Sequence, residues 1–162
     1  MAGAAIPAPD RTERVLGIAA LALLGAVAFA VLRGRAHWGD APGLVWLHLA
    51  TVAAALMLTP VMLWRQRGDG AHRLLGYAWA GAIGVTALAT FGIRQINDGG
   101  LSVIHALSAW TLYQLVVIVL AARRGNVARH RRAVRGMVIG ALLIAGFFTF
   151  AFDRMLARWL LG

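Results

Sequence analysis

The chain contains no cysteine. That absence excludes disulfides, thiolate zinc sites, iron–sulfur clusters and the Cys-x-x-Cys-His attachment of c-type haem. Any metal centre must therefore draw on His, Met or oxygen ligands. Lysine is absent too: all sixteen basic side chains are arginine, set against six acids for a net charge of +10. Charged residues make up only 14% of the chain, where a soluble domain carries about a quarter. The sequence places no carboxylate within the apolar runs. Asp69 and Asp98 fall in loops, Asp40 precedes the second run, and Asp153 falls near the end of the last. This argues against a carboxylate-bridged di-iron site and against an acid-based proton relay.

What the chain has is apolar length: 60% of its residues are hydrophobic and its mean hydropathy is +0.74. A run of about 18 or more apolar residues reads as a transmembrane helix. Five such runs predict an all-α integral membrane protein, with helices over about 14–32, 42–64, 72–96, 101–122 and 130–160. They form a single transmembrane domain, 14–162, behind a disordered N-terminal tail, 1–13, that holds Pro7 and Pro9. Helices 2–5 are expected to form a four-helix bundle with helix 1 packed outside it. The first run also has a signal-peptide reading, with Arg11 and Arg14 as its basic region and Ala28, Phe29 and Ala30 as a cleavage site. Its length and its packing residues Ala22 and Gly25 favour a retained helix. Pro42 suits the start of helix 2, Pro60 a local bend near its end, and the turn from Asn97 to Gly100 separates helices 3 and 4.

The arginines are distributed unevenly. Eleven flank the tail and the loops 65–71 and 123–129, and five flank the other side. Positive charge stays on the cytoplasmic side, so the expected location is a bacterial inner membrane, N-terminus cytoplasmic and C-terminus periplasmic. On a soluble protein the same charge would suggest nucleic acid; here topology accounts for it and no nucleic-acid partner is expected. The expected partners are the bilayer, other membrane chains, and anionic lipid headgroups at the cluster Arg123, Arg124, Arg129, Arg131, Arg132 and Arg135.

Four of the five histidines lie on a repeated unit. His48 is followed by His72 and Arg73, with 23 residues between the histidines; His105 is followed by His130 and Arg131, with 24 between. His48 lies 16 residues before Trp64, and His105 lies 17 before Ala122. At 1.5 Å per residue both stand roughly 25 Å above the inner ends of their helices. His72 and His130 both open ascending helices at the inner interface. If the two hairpins are related by an axis along the membrane normal, His48 faces His105 and His72 faces His130. Neutral imidazole is the commonest metal ligand, and two axial histidines hold a haem iron between helices. Arg73 and Arg131 could then neutralise haem propionates. A bland reading stands beside this one: histidines also serve as hydrogen-bond partners between membrane helices. A serine hydrolase built on Ser102, Ser108 and His105 lacks a nucleophile elbow and a carboxylate orienter. Met57 and Met62 read as core packing rather than a copper site.

The arrangement of His48 with His105 and His72 with His130 resembles the cytochrome b561 family, in which helices 2 and 4 hold one haem and helices 3 and 5 another. That resemblance implies haem b at these four histidines and transmembrane electron transfer. The chain departs from the family in having five helices rather than six and shorter intervals between histidines. A closer resemblance, over about 44–155, is to a small prokaryotic membrane family, domain of unknown function 2306. His48, the segment from His72 to Tyr77, His105, and the segment from His130 to Arg135 carry it. It implies an integral membrane protein and no particular activity. The function expected is therefore b-type haem electron transfer; the alternative is a non-redox accessory or scaffold subunit.

Overall fold

Asp10 starts the fold by capping α1 (Arg11–Arg33). Its carboxylate accepts the backbone N–H of Glu13 at 3.0 Å, and Glu13 Oε2 accepts the N–H of Asp10 at 3.2 Å. This reciprocal capping box fixes the first turn. The helix thus begins at Arg11 rather than Arg14, and 11–13 belong to it instead of to a tail. The chain is described here from a computed structural model, over residues 8–65, 67–93, 100–151 and 154–161.

A 3₁₀ segment (Gly34–Asp40) leads to α2 (Gly43–Trp64), which enters on Pro42 and runs on through the buried Pro60. Asp69 caps α3 (Gly70–Gly92) by accepting the N–H of His72 at 2.6 Å. The expected end of helix 3 at 94–96, and residues 97–99 of the turn, lie outside the described residues. Next comes α4 (Val103–Arg123). Gly125, at φ 66°, turns the chain in the left-handed region that favours glycine. Asn126 then caps the fifth helix by accepting the N–H of Arg129 at 3.0 Å.

The fifth helix, α5 (Val127–Phe150), departs from the expectation of one helix to 160. It is α-helical over Val127–Met137, widens to a π-helix over Val138–Ile144, and ends in a 3₁₀ turn over Phe148–Phe150. Thr149 Oγ1 donates to the Gly146 carbonyl at 2.6 Å in that last turn. A separate C-terminal helix (Met155–Leu161) follows. The sequence carries a mark of the break in the adjacent charges Asp153 and Arg154, which an apolar count over 130–160 averages away.

All five long helices are apolar enough to cross a membrane, and the chain is a multi-pass membrane protein. In the bundle α2 packs between α1 and α3, α3 meets α4, α4 meets α5, and α5 closes back on α2 and α1. Helices α2–α5 therefore form the four-helix bundle, with α1 against its α2–α5 edge. Leu16, Leu56, Trp79, Ile83, Met137 and Val138 fill the interior. Leu74, Leu88, Val103 and Phe147 point outward, as lipid-facing side chains do. Small residues let the helices approach: a Cβ on Gly76 would stand 3.5 Å from Met62, and one on Gly84 3.6 Å from Leu115.

The C-terminal helix completes the wall that α5 leaves short. Gly146 of α5 lies under Leu23 of α1. Beyond that level, Leu156 packs with Val27 and Ala30. Arg33 Nη1 donates to the Leu160 carbonyl at 2.8 Å, and Trp159 covers Gly34. Trp38 and Trp46 (ring centres 5.5 Å apart) and Trp46 and Trp159 (6.1 Å) gather at this end of the molecule. The opposite end holds the α2–α3 and α4–α5 loops and the start of α1.

Candidate functional site: paired histidines and a buried glutamate

The arginine end is built around Glu13. Its side chain is 1% exposed and pairs with Arg67 at 2.5 Å, Arg131 at 2.6 Å and Arg135 at 3.1 Å. Asp10 adds a second carboxylate, paired with Arg131 at 3.1 Å and also with Arg135. Trp64 Nε1 donates to the Glu13 carbonyl at 3.2 Å, which ties the end of α2 to the same turn. Five chain segments thus meet at one turn: the cap, α1, the end of α2, the α2–α3 loop and α5. The Asp10 carboxyl is held below the usual aspartate range, first by the Glu13 N–H and also by Arg135. Arg65, 2.5 Å from Asp69, holds that carboxyl low, and Asp69 in turn raises Arg65.

This cluster corrects the expectation that the spans hold no carboxylate. Glu13 sits in the first turn of a membrane-crossing helix and is buried. The motif Asp10-x-x-Glu13 ahead of an apolar run was the signal that could have found it. It also changes what Arg131 can do, because its guanidinium is engaged by Glu13 and Asp10. Arg73 remains exposed at the same end.

Two of the expected histidines stand here. His130 opens onto α4: its Nδ1 lies 3.1 Å from the Ile118 carbonyl. A carbonyl only accepts, so Nδ1 carries the proton, and in the neutral ring Nε2 carries the lone pair. His72, in the first turn of α3, lies within electrostatic range of His130. Its Nδ1 is buried and has no hydrogen-bond partner among the described residues.

The other two stand at the last turn of α3, toward the tryptophan end. His48 Nδ1 lies 3.3 Å from Thr90 Oγ1, whose own proton goes to the Thr86 carbonyl at 2.9 Å. The one hydroxyl proton serves either the Thr86 carbonyl or His48 Nδ1, so the contact suits either tautomer of His48. His105 is 4% exposed. The Ser102 backbone N–H, which can only donate, points at its Nδ1 at 2.9 Å. The neutral ring then holds its proton on Nε2, which is buried and has no partner among the described residues. The Phe91 ring lies 5.7 Å from the His105 ring. Further hydroxyls line this half of the bundle. Thr86 donates to Thr51 at 2.7 Å, and Ser108 and Thr111 are buried on the face of α4 that bears His105.

The structure thus separates the four histidines into two groups, one at each end, as the depth count expected. His130 donates from Nδ1 and His105 accepts at Nδ1, a difference that the sequence does not reveal. Among the described residues no three His, Cys, Asp or Glu side chains gather closely enough to hold a metal ion. Comparison with family models, with curated proteins and with solved structures finds no match for this chain.

Proposed function

We propose that the protein is a b-type haem-binding component of a bacterial cytoplasmic membrane, with its arginine end and N-terminus inside and its C-terminus in the periplasm. One observation carries the reading: His130 gives its Nδ1–H to the Ile118 carbonyl. That bond orients the ring and leaves Nε2 basic, the arrangement that ligating histidines adopt. His72, with a buried nitrogen that has no partner among the described residues, is the second imidazole. These two residues would hold the iron between α3 and α5, diagonal helices of the bundle. A haem with two imidazole ligands supplies one-electron transfer.

The residues around the pair have separable tasks. Ile118 fixes the His130 tautomer. Arg73 offers a guanidinium for a propionate, while Arg131 is shared with Glu13. The exposed Arg123, Arg124, Arg129 and Arg132 suit anionic lipid headgroups. The pair at the tryptophan end does not fit a second haem, because both nitrogens facing an iron need a lone pair and His105 presents an N–H. The reading is therefore one haem per chain, a departure from the two-haem pattern that the histidine spacing resembles.

Reduced-minus-oxidised visible spectra of protein expressed with haem supplied test this. Sharp α and Soret bands are expected, lost in His72→Ala and His130→Ala and retained in His37→Ala. Absence of the bands would leave the second reading, a non-redox accessory subunit. The Glu13–arginine cluster favours that reading, since it joins five segments without involving a histidine.

A further inference from the structure

We propose that the outer groove between α4 and α5 seats an anionic glycerophospholipid, its phosphate on Arg129 and Arg132 and an ester carbonyl on the side-chain amide of Gln114. This seat deepens the headgroup contact given above to the exposed arginines and rests on it, not on haem binding.

Three contacts fix how the two antiparallel helices lie against each other. His130 Nδ1 lies 3.1 Å from the Ile118 carbonyl. A Cβ on Gly136 would stand 4.0 Å from Gln114 Nε2, and one on Gly140 3.3 Å from the Trp110 ring. Going up α5 from 130 to 140 therefore matches going back along α4 from 118 to 110. Arg129, Arg132 and Gly136 follow one another at three- and four-residue spacing in the α-helical part of α5, so they share one stripe. Gly140 continues the line one level deeper, against Trp110.

The chemistry of this line changes with depth. At its mouth Arg129 and Arg132 are exposed and pair with no carboxylate among the described residues. The sequence holds no acid between Asp98 and Asp153. Arg131 and Arg135 are taken by Glu13 and Asp10 instead. One turn beyond Arg132, about 5 Å deeper, the half-buried Gln114 amide stands over Gly136. It makes no hydrogen bond among the described residues. Deeper still, the exposed surface is the Trp110 ring and Ile139.

Guanidinium, amide and hydrocarbon is the order in which a glycerophospholipid presents phosphate, ester and acyl chain to a membrane protein. Acyl chains alone would leave the Gln114 amide unpaired, which is unfavourable where water is excluded. A free phosphate would meet the arginines and leave the amide without an acceptor. Basic sites between membrane helices on the cytoplasmic side take lipid headgroups.

The test places the full chain in phosphatidylcholine nanodiscs holding equal amounts of diester and diether phosphatidylglycerol. Native mass spectrometry then counts the lipids retained on release. Phosphatidylglycerol should be retained over phosphatidylcholine, and the diester over the diether by about threefold, as one hydrogen bond would give. Arg129→Gln with Arg132→Gln should cut retention about tenfold or more. Arg11→Gln with Arg14→Gln, on exposed arginines of α1, should leave it unchanged. Gln114→Leu should keep the preference for phosphatidylglycerol and lose the preference for the diester. Retention that follows Arg129 and Arg132 without an ester preference overturns the seat and leaves the plain headgroup contact standing. Equal retention of phosphatidylcholine overturns both. An equal loss in the Arg11, Arg14 variant, or an ester preference that survives Gln114→Leu, also overturns the seat.

Discussion

Glu13 is the only glutamate in the chain, and its three arginine partners are 11–26% exposed. Removing one partner from a buried ion pair leaves the others uncompensated, at a cost of about 3 kcal/mol or more. Glu13→Gln should therefore destabilise the fold by about that amount in a detergent-denaturation titration. Combined with Arg131→Gln the loss should fall short of the sum, because both substitutions break one network; full additivity would dissolve the network. Asp10 and Asp69 give a pH signature outside the spans. Their folded pKa values lie below the ordinary 3.8, so their stabilisation is complete above that value. It is lost as pH falls through the depressed values. The contribution of these two carboxylates should be constant from neutral pH to about 5 and fade below about 4, so the acid loss of stability in that lower range should be smaller in the Asp10→Asn, Asp69→Asn double variant. At this scale the sequence was only partly legible. The four histidines stood out by spacing, but the proton placement of His105 and His130 depends on Ser102 and Ile118, which no spacing rule singles out. Glu13 is hidden from hydropathy because it lies just before Arg14, where the apolar run begins.

Helices were the most legible level, since an apolar run has few alternatives in a membrane. All five start within three residues of where hydropathy puts them, and α2 ends at Trp64 as expected. The course and end of the fifth differ for a physical reason: hydropathy counts apolar residues and is blind to how the backbone bonds them. The π segment changes the ladder without changing the composition, whereas the break before Met155 coincides with the charged pair Asp153 and Arg154. Where α1 crosses α2, the packing is tight enough to test. A Cβ on Gly17 would stand 2.6 Å from the Trp64 indole, which is itself tied to the Glu13 carbonyl. Gly17→Ala should cost about 1–3 kcal/mol by overpacking in the same titration, and Trp64→Leu should restore part of it. An unchanged midpoint would mean that the indole moves aside freely. At the other end Gly34→Leu should displace Trp159 and shift the tryptophan emission.

For the molecule as a whole, five spans and the division into two chemically different ends were readable in advance. The arginine end gathers the start of α1 and the two loops that charge counting grouped together. The coupling of α1 to the bundle through Glu13 was not readable, because it joins residues more than 100 positions apart. Nor was the unequal fitness of the two histidine groups, which turns on single hydrogen bonds. The account predicts one haem, seated by His72 and His130. The haem-to-protein ratio of the purified chain tests this most directly. A ratio of one that falls to zero in His130→Ala and stays at one in His105→Ala is the predicted result. A ratio of two, or a ratio of one that survives His130→Ala, would contradict it.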